Sequence, residues 1–167
     1  YLPGMAIHVS GVGYAPEGDL TLEDDSPIDP AQAHLFLEAC VLCNQSDVHN
    51  DKNVCVSSGD PMEAALLTLA LKSQINIEAL RKQYVLVDQV PFDAKARFMA
   101  THSKMSVSTT LHRIDIKVAP ELILQHCDHV LSNRSERLAF DAHHWQDLIM
   151  QCGQRGERVL ALAQVDP

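Results

Sequence analysis

Near Tyr84 the hydrophobic period of this 167-residue chain changes, and that change restricts the fold more than any other feature. Upstream, apolar residues cluster in helical registers; downstream they alternate like strands. A chain that switches from a period of 3.6 to a period of 2 buries helices against a sheet, which excludes a plain helical bundle. Asp29-Pro30-Ala31-Gln32 supplies an N-cap, a proline at the first helical position and a Gln able to close a capping box, so a helix is expected over 30–42. The same grammar at Asp60-Pro61-Met62-Glu63 predicts a helix over 61–72, and Asn76 caps a short third one that includes Leu80.

Ahead of these, residues 6–14 read as a strand broken by Gly11 and Gly13, and 17–29 carry six acids and no base, a solvated connector. Beyond Tyr84, Val85, Val87 and Val90-Pro91-Phe92 predict a strand running into a bend. Strands are expected over 98–102 and 107–118, joined by a turn near 103–106. In the second, Ile114, Ile116 and Val118 face one side while Arg113, Asp115 and Lys117 face the other. Pro120 starts a helix with Leu122, Ile123, Leu124 and Cys127. Trp145, Leu148, Ile149 and Cys152 form an i, i+3, i+4, i+7 stripe on a later helix that ends at Gly153 and Gly156. A final strand is expected over 158–163. The sum is an α+β layer architecture with no internal repeat.

Charge narrows the function classes. Thirteen Lys and Arg against 22 Asp and Glu give −9, which repels phosphate polymers and anionic lipid surfaces, so nucleic acid is excluded as the expected partner. No run approaches the roughly 20 apolar residues of a membrane span. Five cysteines at scattered apolar positions lack the dense even pattern of a disulfide scaffold and predict a reducing compartment. The chain opens at Tyr1-Leu2-Pro3 without an initiator Met, so a piece of a longer polypeptide is expected.

The common phosphate loop, the complete G-x-G-x-x-G and the G-x-S-x-G elbow are all missing from the sequence. Four segments in fixed order remain. Gly59-Asp60-Pro61-Met62-Glu63-Ala64-Ala65-Leu66-Leu67 is similar to G-D-P-T-E-x-A-L-L, and Val90-Pro91-Phe92-Asp93-Ala94-Lys95-Ala96-Arg97-Phe98-Met99 to P-F-[DS]-S-x-R-K-x-M. Ile116-Lys117-Val118-Ala119-Pro120-Glu121 is similar to K-G-A-P-E, and Gly156-Glu157-Arg158-Val159-Leu160-Ala161-Leu162-Ala163 to G-x-R-V-L-A-L-A. Val9 to Pro16 resembles V-x-G-x-G-Y-x-P, and Cys43-Asn44 resembles a C-N that follows the first helix. Over about residues 5 to 163 the chain thereby resembles the nucleotide-binding domain of P-type ATPases, in the branch of calcium and sodium pumps and their bacterial relatives.

That resemblance implies an antiparallel, twisted sheet of about six or seven strands flanked by helices. It also implies one nucleotide-binding domain over 1–167, the cytoplasmic part of an integral membrane protein. It implies that ATP binds, with Mg2+ in the complete pump, and that Phe92 stacks on the adenine while Glu63 reads its amino group. Met99 belongs to the same pocket, Lys117 lines it, and Arg97 and Arg158 contact the ribose and phosphates. The implied partners are the phosphorylation and actuator domains of the same polypeptide, with the fragment itself a monomer that makes no direct membrane contact. D-K-T-G-T-L-T is not in the sequence, so these residues are expected to bind nucleotide and to form no phosphoenzyme. Two departures stand out: Ala96 replaces an Arg, and Val118 replaces a Gly, so either the backbone there is plain extended strand or the pocket floor is reshaped.

Plainer roles stand beside each of these. Glu63 occupies the N3 position where a capping box wants an acid, Phe92 is an ordinary core candidate, and a lysine at a strand end is usually solvated. Two other classes of function compete. Cys40-x-x-Cys43 with His49 and Cys55 nearby offers a zinc or thiol module, although i, i+3 cysteines beside Leu37 and Val41 also read as helix core. An acidic interaction module would carry no pocket at all. His126, His129, His143 and His144 show no consistent ligand spacing.

Overall fold

The computed structural model describes residues 1–51, 54–108, 110–132 and 136–165. Four strands make its main sheet: β5 (Tyr84–Asp93), β6 (Phe98–Met105), β7 (His112–Val118) and β10 (Ala161–Val165), antiparallel throughout in the order β10-β7-β6-β5. The other strands pair as three separate two-stranded sheets. They are β1 (His8–Val9) with β2 (Leu20–Thr21), β3 (Asp47–Asp51) with β4 (Val54–Ser58), and β8 (His129–Leu131) with β9 (Arg137–Ala139).

The α+β class therefore holds, but the single sheet of six or seven strands does not: among the described residues the main sheet has four. The expected strand over 6–14 shrinks to two residues because Gly11 and Gly13 take left-handed backbone, at φ 91° and 70°, and turn the chain away. The strand expected from 107 begins only at His112. Met105 N–H donates to Leu111 O at 2.9 Å and Ser106 N–H to Gln83 O at 2.7 Å, so the intervening residues form the turn, with position 109 outside the described residues. The last strand starts at Ala161 rather than 158, where its partner β7 ends.

Helices form where the capping grammar places them. Before α1 (His34–Leu42), residues Pro30–Ala33 make a 3₁₀ turn, with the Asp29 carboxylate accepting from Ala31 N–H at 3.0 Å. The tighter turn moves the α-helical start to His34. For α2 (Pro61–Lys72), Asp60 Oδ1 accepts from the N–H groups of Met62 and Glu63, at 2.8 and 3.2 Å. Asn76 caps α3 (Ile77–Gln83) through Ala79 N–H at 2.9 Å. Beyond the sheet's β10 side, α4 (Pro120–His126) touches β10 and packs against α5 (Ala142–Gln154). Among the described residues no helix is long and apolar enough to cross a membrane.

The centre of the molecule is α1, buried from Leu37 to Leu42 between the sheet and α2 and α3. Val41, Leu42, Leu67, Ala70 and Leu80 form one apolar cluster, with Val48, Ile75, Ile77 and Tyr84 packed around it. Full burial of a leucine of this kind stabilises by about 2 kcal/mol. The opposite side of α1 meets something the hydrophobic pattern does not suggest. Met99, Thr101 and Ser103 of β6 and Arg113, Asp115 and Lys117 of β7 are buried beneath it, whereas Ile114 and Ile116 lie half-buried on the other face. The sheet turns its polar stripe inward.

Such a stripe survives only if its charges find partners, because an unpaired buried ion costs several kcal/mol. Arg113 Nε donates to both Asp115 oxygens at 2.9 Å, and its Nη1 pairs with Glu38 of α1. Nη2 reaches Leu35 O at 3.3 Å, and the guanidinium stands 5.7 Å from the Tyr84 ring centre. Burial pushes the Asp115 carboxyl above its ordinary value against the pull of Arg113. The same burial works against the Arg113 cation, and its two carboxylates more than offset it, leaving its pKa raised.

Candidate functional site

One end of the sheet collects the ends of all four strands. There β5 finishes at Asp93, β6 starts at Phe98, β7 finishes at Val118 and β10 starts at Ala161; Phe98 pairs with both Asp93 and Val118, and Val118 with Ala161. Antiparallel order thus gathers four sequence-distant segments. Phe92 lies at this end on β5, Arg97 in the turn before β6, Met99 and Lys117 opposite each other on β6 and β7, and Arg158 on the run into β10. Glu63 reaches the same place from the first turn of α2.

Glu63 and Lys117 meet directly. Lys117 Nζ pairs with Glu63 Oε1 and donates to Cys43 O at 3.0 Å, and both side chains are almost fully buried, at 5% and 10% exposure. The solvated-lysine role is therefore overturned. The capping-box role fails too: Asp60 caps the helix, while Glu63 Oε2 accepts from Gln45 N–H at 2.8 Å and from Ser46 Oγ at 3.4 Å. Met99 is fully buried, and its carbonyl accepts from Cys43 Sγ at 3.7 Å.

The remaining three groups are open to solvent. Phe92 is 56% exposed, so it is not the core residue its type allows. A tight turn precedes Arg97: Asp93 Oδ1 accepts from Lys95 N–H at 2.9 Å and Ala96 N–H at 2.7 Å, and Arg97 adopts a left-handed φ of 55°. Its guanidinium pairs with Glu121, both about half exposed. Ala119 N–H donates to Arg97 O at 3.0 Å, tying this turn to the start of α4. Arg158 is exposed and precedes β10. Val118, where glycine was the alternative, is plain extended strand paired on both sides, which answers the question its β-branch raised.

Sequence reading gave Asn44 only as half of a C-N pair and did not single out Ser46 or Gly59 as supports. Asn44 Nδ2 donates to Cys40 O at 3.0 Å and Glu63 O at 2.8 Å, and Oδ1 accepts from Ser46 N–H at 2.9 Å. Gly59 has φ 98°, and a Cβ there would stand 2.5 Å from Ser46 Oγ. The only signal for these was adjacency to the motifs.

The thiols behave as core. Cys40 and Cys43 are fully buried, and burial pushes them up to about 12 and about 11, with the Lys117 ammonium pulling the other way. Neither is a thiolate near neutrality, which weighs against a thiol or zinc role for this pair. Elsewhere, a cavity of about 630 Å³ is bordered by Leu2, Phe36, Ile123, Trp145, Leu148 and Leu162 and by none of the six residues above. Its charged lining is already committed: Arg113 and Asp115 to internal pairs, and Asp128 to His129. The sheet end is the better candidate because separate segments place charged groups and an exposed aromatic ring at the ends of adjoining strands.

Helices around an antiparallel sheet, with a buried cation–carboxylate pair at one sheet end, define the class of domain. Residues 32–167 match the family model described as P-type ATPase, cytoplasmic domain N, and the chain belongs to that family. It is 29% identical over 98% of its length to the cation-transporting ATPase pma1 of Synechocystis sp., covering 18% of that protein. With the calcium-transporting ATPase of Bacillus subtilis it shares 30% identity over 83% of its length and 15% of the relative's. The calcium-transporting ATPase type 2C member 1 of Bos taurus is 28% identical over 96% of the chain and 17% of the relative. The chain thus spans less than a fifth of these relatives.

Proposed function

We propose that residues 1–167 form the nucleotide-binding domain of a cation-transporting P-type ATPase, which binds the adenosine part of ATP and presents the γ-phosphate to a phosphorylation domain of the same polypeptide. The observation that carries this reading is the buried Lys117–Glu63 pair beside Met99, at the sheet end where Phe92, Arg97 and Arg158 also lie. Phe92 supplies the exposed face on which a purine stacks, a contact worth about 1–3 kcal/mol. Glu63 accepts from the exocyclic amino group, and Lys117 donates beside it. Arg97 and Arg158 contribute positive charge for the ribose and phosphates, with guanidinium geometry suited to phosphate oxygens.

In this reading the domain holds and orients fuel. Mg2+ arrives with ATP in the complete pump, and the phosphorylated aspartate lies in sequence not present among these residues. The domain is a monomer whose partners are ATP and the phosphorylation and actuator domains. Titration of the chain with ATP, followed by amide shifts, tests the proposal: saturable changes should centre on Phe92 and Lys117. Millimolar ATP that leaves both unmoved would sink it.

A further inference from the structure

The four residues after α1 are stitched to the Glu63–Lys117 pair one after another. Cys43 offers its carbonyl to Lys117 Nζ, Asn44 Nδ2 donates to Glu63 O, Gln45 N–H donates to Glu63 Oε2, and Ser46 Oγ reaches Glu63 Oε2 and, at 3.1 Å, Asp60 O. Asn44 spends its whole amide on this arrangement: two donors to Cys40 O and Glu63 O, and its oxygen to Ser46 N–H. Arg81 Nη2 adds a bond to Ser46 O at 3.3 Å, and Gly59 admits Ser46 to a space that a Cβ would fill, 2.5 Å from Ser46 Oγ.

We infer that this turn, residues 43–46, sets the purine selectivity of the site, with Asn44 and Ser46 as positioning residues. The inference rests on the nucleotide reading above. Because Gln45 and Ser46 engage Oε2, the carboxylate oxygen left for a ligand is Oε1, which shares its place with the Lys117 ammonium. A base whose ring is held by stacking therefore meets an acceptor and a donor in fixed order. Adenine matches by donating from its 6-amino group, whereas guanine turns a 6-oxo acceptor toward the same carboxylate. Loosening the turn frees Glu63 to rotate and lets Oε2 compete, which blurs that order. The effect is on choice of base more than on phosphate binding.

The test measures dissociation constants of ATP and GTP for the 167-residue chain by calorimetry, for wild type, Asn44→Ala and Ser46→Ala, with circular dichroism to confirm folding. Wild type should favour ATP by at least about tenfold, and Asn44→Ala should narrow that ratio by about fivefold, the size of one lost hydrogen bond. Ser46→Ala should narrow it by roughly twofold, since its bond to Glu63 is the longer one. Should Asn44→Ala fail to fold, Ser46→Ala and Gly59→Ala, which crowds Ser46, decide the matter. A wild-type chain that binds ATP and GTP equally, or folded variants that keep the full ratio, overturns the role of the turn while leaving nucleotide binding intact. A wild type that binds neither nucleotide overturns the proposed function instead, and the inference with it.

Discussion

The two halves of the candidate site are built on opposite terms. The inner half, Glu63 with Lys117 and the turn at 43–46, is buried and every charge in it is already paired. The outer half, Phe92, Arg97 and Arg158, stands in solvent, with Arg97 held only by an exposed partner. The inner groups cannot adapt without a large electrostatic penalty, so they suit recognition of an invariant base. Among the outer groups the two arginines move cheaply, which under the proposed function suits a phosphate chain, while Phe92 offers its exposed ring to the base.

That contrast breaks first at Lys117. Substitution Lys117→Met leaves Glu63 as an uncompensated buried carboxylate, and the expected loss of stability is about 3–5 kcal/mol. Urea unfolding measures it; a loss below about 1 kcal/mol would mean the pair is solvated and the inner half is no different from the outer.

Phe92 should show the reverse profile. Removing a ring that is 56% exposed should change stability by under about 0.5 kcal/mol. The same Phe92→Ala change should weaken ATP binding by about 1–3 kcal/mol, far more than Cys40→Ser does. Equal effects on ATP binding from the two variants would count against stacking. A large loss of stability would instead make Phe92 part of the core.

The cysteines behind the pair give the contrast a pH signature. Cys40 and Cys43 are acids whose folded values, about 12 and about 11, lie above the ordinary 9.0. The folded state therefore binds more protons than the unfolded state in that window. Stability is fully present below pH 9 and falls as pH rises through 9 to 11 and beyond, by up to about 1.4 kcal/mol per pH unit for each thiol. Thermal midpoints between pH 8 and 10.5 read this out, and Cys43→Ala should flatten the fall. A midpoint indifferent to alkali would show these thiols to be accessible.

Legibility in the sequence followed the local grammar. Helix starts at Asp60 and Asn76 were readable because a capping side chain lies within three residues of the N–H it accepts from. The four strand segments of the main sheet were readable in outline from alternation. What alternation could not tell was which face goes inside. Alternation marked Ile114 and Ile116 as the aliphatic side of β7, yet its charged stripe is the deeper one, because Glu38 and Glu63 come from distant helices to neutralise it. Pairing at such a distance leaves no local periodicity to read. The short hairpins β3–β4 and β8–β9 went unanticipated for a related reason: strands of three to five residues are too short for alternation to mark them, and pairing rather than pattern makes them strands.

The smallest expected effect comes from Arg97, and it sharpens the comparison most. Two terms oppose each other at this residue. Its left-handed φ of 55° costs about 1 kcal/mol for a residue with a Cβ, and its exposed pair with Glu121 returns under about 1 kcal/mol. Arg97→Gly removes both, so unfolding free energy should shift by less than about 0.5 kcal/mol in either direction. Arg97→Ala keeps the backbone cost and loses the pair, so it should be the less stable of the two variants. Both should weaken ATP by a similar few-fold factor at low salt, and the deficit should shrink as salt screens an exposed cation. A deficit that persists unchanged in high salt would mean that Arg97 works from a desolvated position, and the line between the two halves of the site would have to be redrawn with Arg97 on the inner side.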